Sequence, residues 1–300
     1  MKDKNVVSPR VATLIGLSAI VLWSGIVGLI RGVSQDVGPT GGAALIYSGA
    51  SVLLLMTVGL QNVRSFPRRY LLWGSLLFVS YELCLALSIG YAATSQQAIE
   101  VGMVNYLWPA LTLIFAILFN KQRSTWLVVP GFLIAIGGIC VVLGGEDGLQ
   151  IGGILRNLQS NPASYGLALL GAVIWSTYCT VTARIANGKN GVTLFFLLTA
   201  IALWVKYGFS NEQPLALTQS GVLYLIGASM AMGFGYAAWN IGLLHGRIPV
   251  LVGCSYFIPV LSAMLSALIL HTALSGSFWR GAAMVCLGSV LCWVATRSDS

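Results

Sequence analysis

The run VGMVNYLWPALTLIFAIL, from Val101 to Leu118, carries no charged residue. A bilayer core about 30 Å thick takes roughly 20 apolar residues in helical form, so this stretch reads as most of one membrane crossing. Asn105, Trp108 and Pro109 lie inside it, and a polar amide and a helix breaker are tolerated at that depth where they face protein or a cavity. Its segment Tyr106-Leu107-Trp108-Pro109 returns much later as Tyr256-Phe257-Ile258-Pro259, which invites a comparison of the two halves of the chain.

Outward from that stretch the same character persists. Of the 300 residues 57% are hydrophobic and 8% charged, and the mean hydropathy is +0.86. A soluble core has no room for that much apolar surface. Apolar segments broken by charge, Gly or Pro predict ten spans, near Val11–Ile30, Gly41–Leu60, Tyr70–Tyr91, Ile99–Phe119, Trp126–Leu143, Tyr165–Ala183, Val192–Phe209, Val222–Leu244, Pro249–Leu270 and Phe278–Thr296. The seventh is the weakest, since Lys206 interrupts it. Lys2, Lys4 and Arg10 precede a full-length apolar run with no small-residue cleavage site, so the first span is expected to stay in the mature protein.

Ten spans put both termini on one side. With that side cytoplasmic, Lys2, Lys4, Arg10, Arg64, Arg68, Arg69, Lys121, Arg123, Arg184, Lys189, Arg247 and Arg297 fall inside, leaving Arg31, Arg156, Lys206 and Arg280 toward the outside. Asp36, Glu146, Asp147 and Glu212 also fall outside, so the positive-inside bias favours cytoplasmic termini. The net charge of +8 is thereby explained by topology, with no call for nucleic acid.

The internal comparison is ordered. Leu22-Trp23-Ser24 aligns with Ile174-Trp175-Ser176, Ile89-Gly90 with Ile241-Gly242, the two Tyr-x-x-Pro segments with each other, and Gly131 and Gly138 with Gly281 and Gly288. A spacing of about 150 residues marks a duplication. The first repeat is residues 1–150 and the second 151–300. Each holds five spans, and five is odd, so the second is inverted. Inverted repeats place a binding site near the membrane midplane and suit alternating access.

On these motifs, with LSAIVLWSGIVGLIRGVS from Leu17 and YELCLALSIGYA from Tyr81, the chain resembles the drug/metabolite transporter superfamily, EamA-type. Within it the likeness is to bacterial exporters of aromatic amino acids. The resemblance implies an all-α integral inner-membrane protein of ten transmembrane helices in two inverted five-helix repeats. It implies a basket around a central cavity lined by helices one to four and six to nine, with five and ten at the periphery. It also implies export of Phe, Tyr and Trp. The alternative is an exporter of another small solute, such as other amino acids, metabolites or planar cationic drugs.

Polar and aromatic residues within spans should turn inward. On the fourth span Gly102, Asn105, Trp108, Pro109 and Thr112 share one stripe, matched by Ser255, Pro259, Ser262 and Ser266 on its repeat partner. Trp175, Tyr178 and Thr182 share a face of the sixth span, and Tyr236, Trp239 and Asn240 a face of the eighth. Tyr47, Tyr81 and Tyr256 complete the candidate substrate-binding set. Such rings suit a planar side chain, although Trp and Tyr also populate membrane interfaces, where Trp73, Trp126, Trp204, Trp279 and Trp293 are placed.

Two carboxylates interrupt apolar runs. Glu82, in the middle of the third span, is a candidate for pairing with a substrate ammonium or for taking a proton; Glu100, near the outer end of the fourth, is closer to a structural role. The glycines Gly131, Gly137, Gly138, Gly281 and Gly288 fit close helix packing. Cys84, Cys140, Cys179, Cys254, Cys286 and Cys292 lie in apolar runs without CxxC pairs, and His245 and His271 stand at span ends without paired acids or HExxH. No cofactor, metal, enzymatic activity or obligatory protein partner is implied; the expected partners are a small-molecule substrate and the lipid bilayer.

Overall fold

The computed structural model describes residues 8–296, and among them every regular element is helical. Lys2, Lys4 and Arg297, counted above toward the topology, lie outside the described residues. In chain order the helices are α1 (Pro9–Ser24), α2 (Ile26–Val37), α3 (Pro39–Thr57), α4 (Ser75–Gly90), α5 (Ser95–Asn105), α6 (Trp108–Asn120) and α7 (Val128–Leu143). Then come α8 (Ile151–Ser160), α9 (Pro162–Ile185), α10 (Val192–Gly208), α11 (Gln219–His245), α12 (Ile248–Ser255), α13 (Ile258–Ile269) and α14 (Gly276–Ala295). A π-helical turn, Tyr70–Gly74, leads into α4.

Six stretches are long and apolar enough to cross a bilayer: Pro39–Thr57, Tyr70–Gly90, Ser95–Asn120, Pro162–Ile185, Gln219–His245 and Gly276–Ala295. The pair α1 and α2, bent by 40° at Gly25, makes a seventh if it is counted as one span. α7, α10 and α13 are apolar but shorter.

Local chemistry sets many of the ends. Ser8, Thr94, Thr218 and Ser275 cap α1, α5, α11 and α14 by accepting a backbone N–H from the first turn. The two Tyr-x-x-Pro segments break their helices at the same place, between α5 and α6 and between α12 and α13. Pro109 and Pro259 have no N–H to donate to the carbonyl four residues back, so the ladder is interrupted one turn before each. The stripe drawn along the fourth span is therefore carried by two helices. α8, which the span reading passes over, is short and has no buried residue.

Packing separates the helices into two groups and a peripheral pair. α4, α5, α6 and α9 pack together, as do α1, α11, α12 and α13, while α3 lies against α10 and α11. α7 packs on α14 through glycine: a Cβ on Gly138 would stand 2.6 Å from the Gly281 carbonyl oxygen, and one on Gly288 2.5 Å from that of Gly131. The expected packing role holds for these four, whereas at Gly137 the nearest atom is a methionine methyl at 3.4 Å.

Cross-links define two ends. Thr125 N–H donates to the Ala295 carbonyl at 2.8 Å, Arg247 N–H donates to Thr13 Oγ1 at 2.9 Å, and the Trp293 ring lies against Gly253 of α12, so the start of α1 and the end of α14 share one face, the terminal end. At the far end Glu212 accepts from Thr40 N–H at 3.0 Å and Gly41 N–H at 3.0 Å, a carboxylate on the N-terminus of α3. There too Asp36 accepts Thr218 N–H at 3.0 Å.

Candidate functional site

Between the two helix groups lies a cavity of about 360 Å³, within the roughly 300–1,000 Å³ of small-molecule sites. Eight of the eleven candidate residues line it: Tyr81, Glu82, Asn105, Trp108, Trp175, Tyr236, Trp239 and Tyr256. Its wall also takes Gly102, Pro109, Thr112 and Ser255 from the polar stripes.

Its rings form two clusters. Trp175 on α9 meets Tyr81 on α4 at 4.4 Å between centroids and Trp108 on α6 edge-on at 6.4 Å. Trp23 on α1 meets Tyr236 at 5.1 Å and Trp239 at 5.3 Å, both on α11. Phe78, 6.0 Å from both Trp175 and Tyr236, joins the clusters from behind.

The remaining three candidates stand outside the wall. Tyr47 on α3 is fully buried and donates its hydroxyl to Glu82 Oε2 at 2.6 Å. Tyr178 stacks behind Trp175 at 5.0 Å and 17° between planes. Asn240 accepts from Asn190 Nδ2 at 2.7 Å. Trp23 and Tyr106 line the cavity but were not among the candidates. The repeat alignment held the signal, since Trp23 pairs with Trp175 and Tyr106 with Tyr256.

Glu82 has both carboxyl oxygens engaged, with Tyr47 on Oε2 and Tyr236 donating to Oε1 at 2.8 Å. No Lys, Arg or His lines the cavity among the described residues. A site with one carboxylate and no cation disfavours a purely anionic guest, whose charge would meet no compensating group. Glu100 differs. Gln96, Asn157 and Tyr165 donate to it at 3.0, 2.8 and 2.8 Å, so it ties α5 to α8 and α9 beside a separate polar hollow at the far end.

The cavity lies toward the terminal end. Thr112, Cys179, Trp239 and Val252, in its wall, are half-exposed and belong to segments that finish or begin at that end. Toward the far end it is closed: Val27 is packed against Gly102, Gly28 N–H donates to Ser266 Oγ at 3.0 Å, and Arg31 bonds the Gly90 and Ala93 carbonyls. The cysteines are free thiols.

The pattern of the EamA-like transporter family matches residues 163–294. The aromatic amino acid exporter YddG of Salmonella typhimurium (strain 14028s / SGSC 2262) is 60% identical, over 95% of this chain and 98% of its own. The chain belongs to the EamA-like transporter family. YddG of Escherichia coli (strain K12) is 58% identical over the same shares, and the protein of that name from Ancylobacter novellus 28% identical. A solved crystal structure covering 98% of this chain and 100% of its own superposes with a TM-score of 0.68 at 26% identity. These relatives are exporters by name, and an EamA-type chain of this apolar, all-helical build is a multi-pass membrane protein.

Proposed function

We propose that this protein exports aromatic amino acids across a bacterial inner membrane by alternating access, with the ring of Phe, Tyr or Trp held in the cavity between Trp23, Tyr81, Trp108, Trp175, Tyr236 and Trp239. The single observation that carries this reading is the cavity's wall, eight aromatic rings around one buried carboxylate. The YddG relatives, named as aromatic amino acid exporters, agree with it.

Ten spans in two inverted repeats, residues 1–150 and 151–300, are the architecture proposed, with α1–α2, α5–α6 and α12–α13 each one broken span. The contacts support it, because exchanging the repeats reproduces several of them: α1 on α11 becomes α9 on α4, α1 on α13 becomes α9 on α6, and α3 on α11 becomes α10 on α4. α7 on α14 and α3 on α10 are their own counterparts. The basic loop Arg64 to Arg69 supports a cytoplasmic terminal end.

In this reading the substrate's α-ammonium is received by Glu82. One phenol, Tyr236, stands in the cavity wall and the other, Tyr47, behind it, so displacing the Tyr236 hydroxyl frees one oxygen while Tyr47 keeps the carboxylate oriented. Proteoliposomes holding the purified protein, offered a panel of amino acids, nucleosides and organic cations with and without a pH gradient, test the function. Phe, Tyr and Trp should cross faster than alanine or lysine. Movement of another class, with aromatic amino acids no faster than through empty liposomes, would replace the reading.

A further inference from the structure

Arg31 is buried, yet among the described residues it has no carboxylate partner. Its guanidinium reaches from α2 to two backbone carbonyls, Gly90 at 3.2 Å and Ala93 at 3.3 Å, at the C-terminal end of α4, and its Nε has no partner. The end of a helix presents unpaired carbonyls and a negative dipole end, which suits a cation. Such a tie also breaks without stranding a buried anion, because carbonyls at a helix end are satisfied equally well by water.

The repeats contain a second arginine at almost the same place. The register that pairs Trp23 with Trp175 sets Arg31 at Ala183, one residue from Arg184, and pairs Gly90 with Gly242 and Ala93 with His245. Arg184 behaves differently. It is exposed, at the terminal end, and bonds the Phe119 carbonyl of α6, inside its own helix group. The turn that Arg31 grips and its repeat counterpart differ in the same sense: Leu87 to Gly90 is wholly buried, whereas in the counterpart on α11 Trp239, Asn240 and Ile241 are half-exposed.

We infer that Arg31 and Arg184 are reciprocal gate residues: Arg31 seals the far end by gripping the end of α4 while Arg184 is released, and in the opposite-facing state Arg184 grips the last turn of α11, Gly242 to His245, while Arg31 lets go. This rests on the inverted-repeat, alternating-access reading. Each arginine acts through the helix end it holds and touches no substrate. The exchange uses one kind of tie at both ends, so closing one gate offsets the opening of the other.

Two thiol reporters in a background lacking the other cysteines test it, in purified protein in nanodiscs. Cys179 lines the cavity on the terminal side, and a cysteine at Ser34, a buried residue against Gly90, reports the far gate. Arg31→Gln should raise modification of the Ser34 position several-fold and lower that of Cys179; Arg184→Gln should do the opposite, and Arg31→Lys should fall between Arg31→Gln and the parent. General loosening would raise both reporters in both variants and would overturn the inference, as would no change in either. Transport by the parent reads the underlying alternating-access reading separately: reporters that stay put in a parent that transports refute the latch alone.

Discussion

A carboxylate inside a lipid-embedded cavity needs donors, and Glu82 has two, Tyr47 from behind and Tyr236 from the wall. Hydrogen bonds to a charged group contribute about 1.5–3 kcal/mol, so Glu82→Gln should weaken Phe binding by roughly tenfold or more at every pH if the ammonium pairs there. Isothermal titration across pH 5 to 9 checks this; unchanged affinity with a lost response to a pH gradient would assign Glu82 to proton movement instead. Trp175 supplies contacts specific to a ring, each aromatic pair being worth about 0.5–1.5 kcal/mol. Trp175→Ala should therefore reduce the preference for Phe over leucine by about two- to tenfold at normal protein level, read in competition uptake, and an unchanged preference would remove Trp175 from the site. Helical phase and polarity made most of the wall legible in the sequence, because in a lipid-exposed helix a Trp beside an amide or Ser has one favourable side to face. Phase does not say which neighbour covers a side chain. Tyr47, Tyr178 and Asn240 share inward faces yet sit behind Glu82, behind Trp175 and against Asn190.

At the scale of elements, proline and glycine carry the information. The matching breaks before Pro109 and Pro259 turn a sequence repeat into a repeated bend, and they set Tyr106 and Tyr256 at the broken point, where both line the cavity. That bend was only half legible: the proline marked it, but the apolar run across it read as one continuous helix. The glycine seam of α7 and α14 was legible except at Gly137, since small residues seven apart on apolar helices have few other uses and Gly137 falls off that spacing. Leucine at Gly138 would have to displace the backbone of α14, with the Gly281 carbonyl 2.6 Å from its Cβ. Overpacking of this kind costs about 1–3 kcal/mol, so Gly138→Leu should lower the Tm in detergent by several degrees, while Gly137→Leu, facing a movable methionine end, should lower it less. Equal losses at the two positions would deny the seam. α8 escaped the sequence reading because a ten-residue amphipathic helix has no span-length apolar run to betray it.

For the whole molecule, the proposed orientation rests on charge and duplication, since packing alone leaves it open. The loop Gln61 to Arg69 carries Arg64, Arg68 and Arg69, and its described residues through Ser65 are exposed. A cysteine at Asn62, in a background without the native six, should resist a membrane-impermeant thiol reagent in intact cells and react once the inner membrane is opened; rapid reaction in intact cells would invert the topology. The claim on which the rest depends is that an aromatic amino acid occupies the cavity between the two helix groups. Cys179, in the cavity wall, reports occupancy directly. With Cys179 as the sole cysteine, saturating Phe, Tyr or Trp should slow its modification several-fold, while alanine and lysine at the same concentration leave the rate unchanged. Modification equally fast with and without Phe, in protein that still transports Phe, would place the substrate elsewhere.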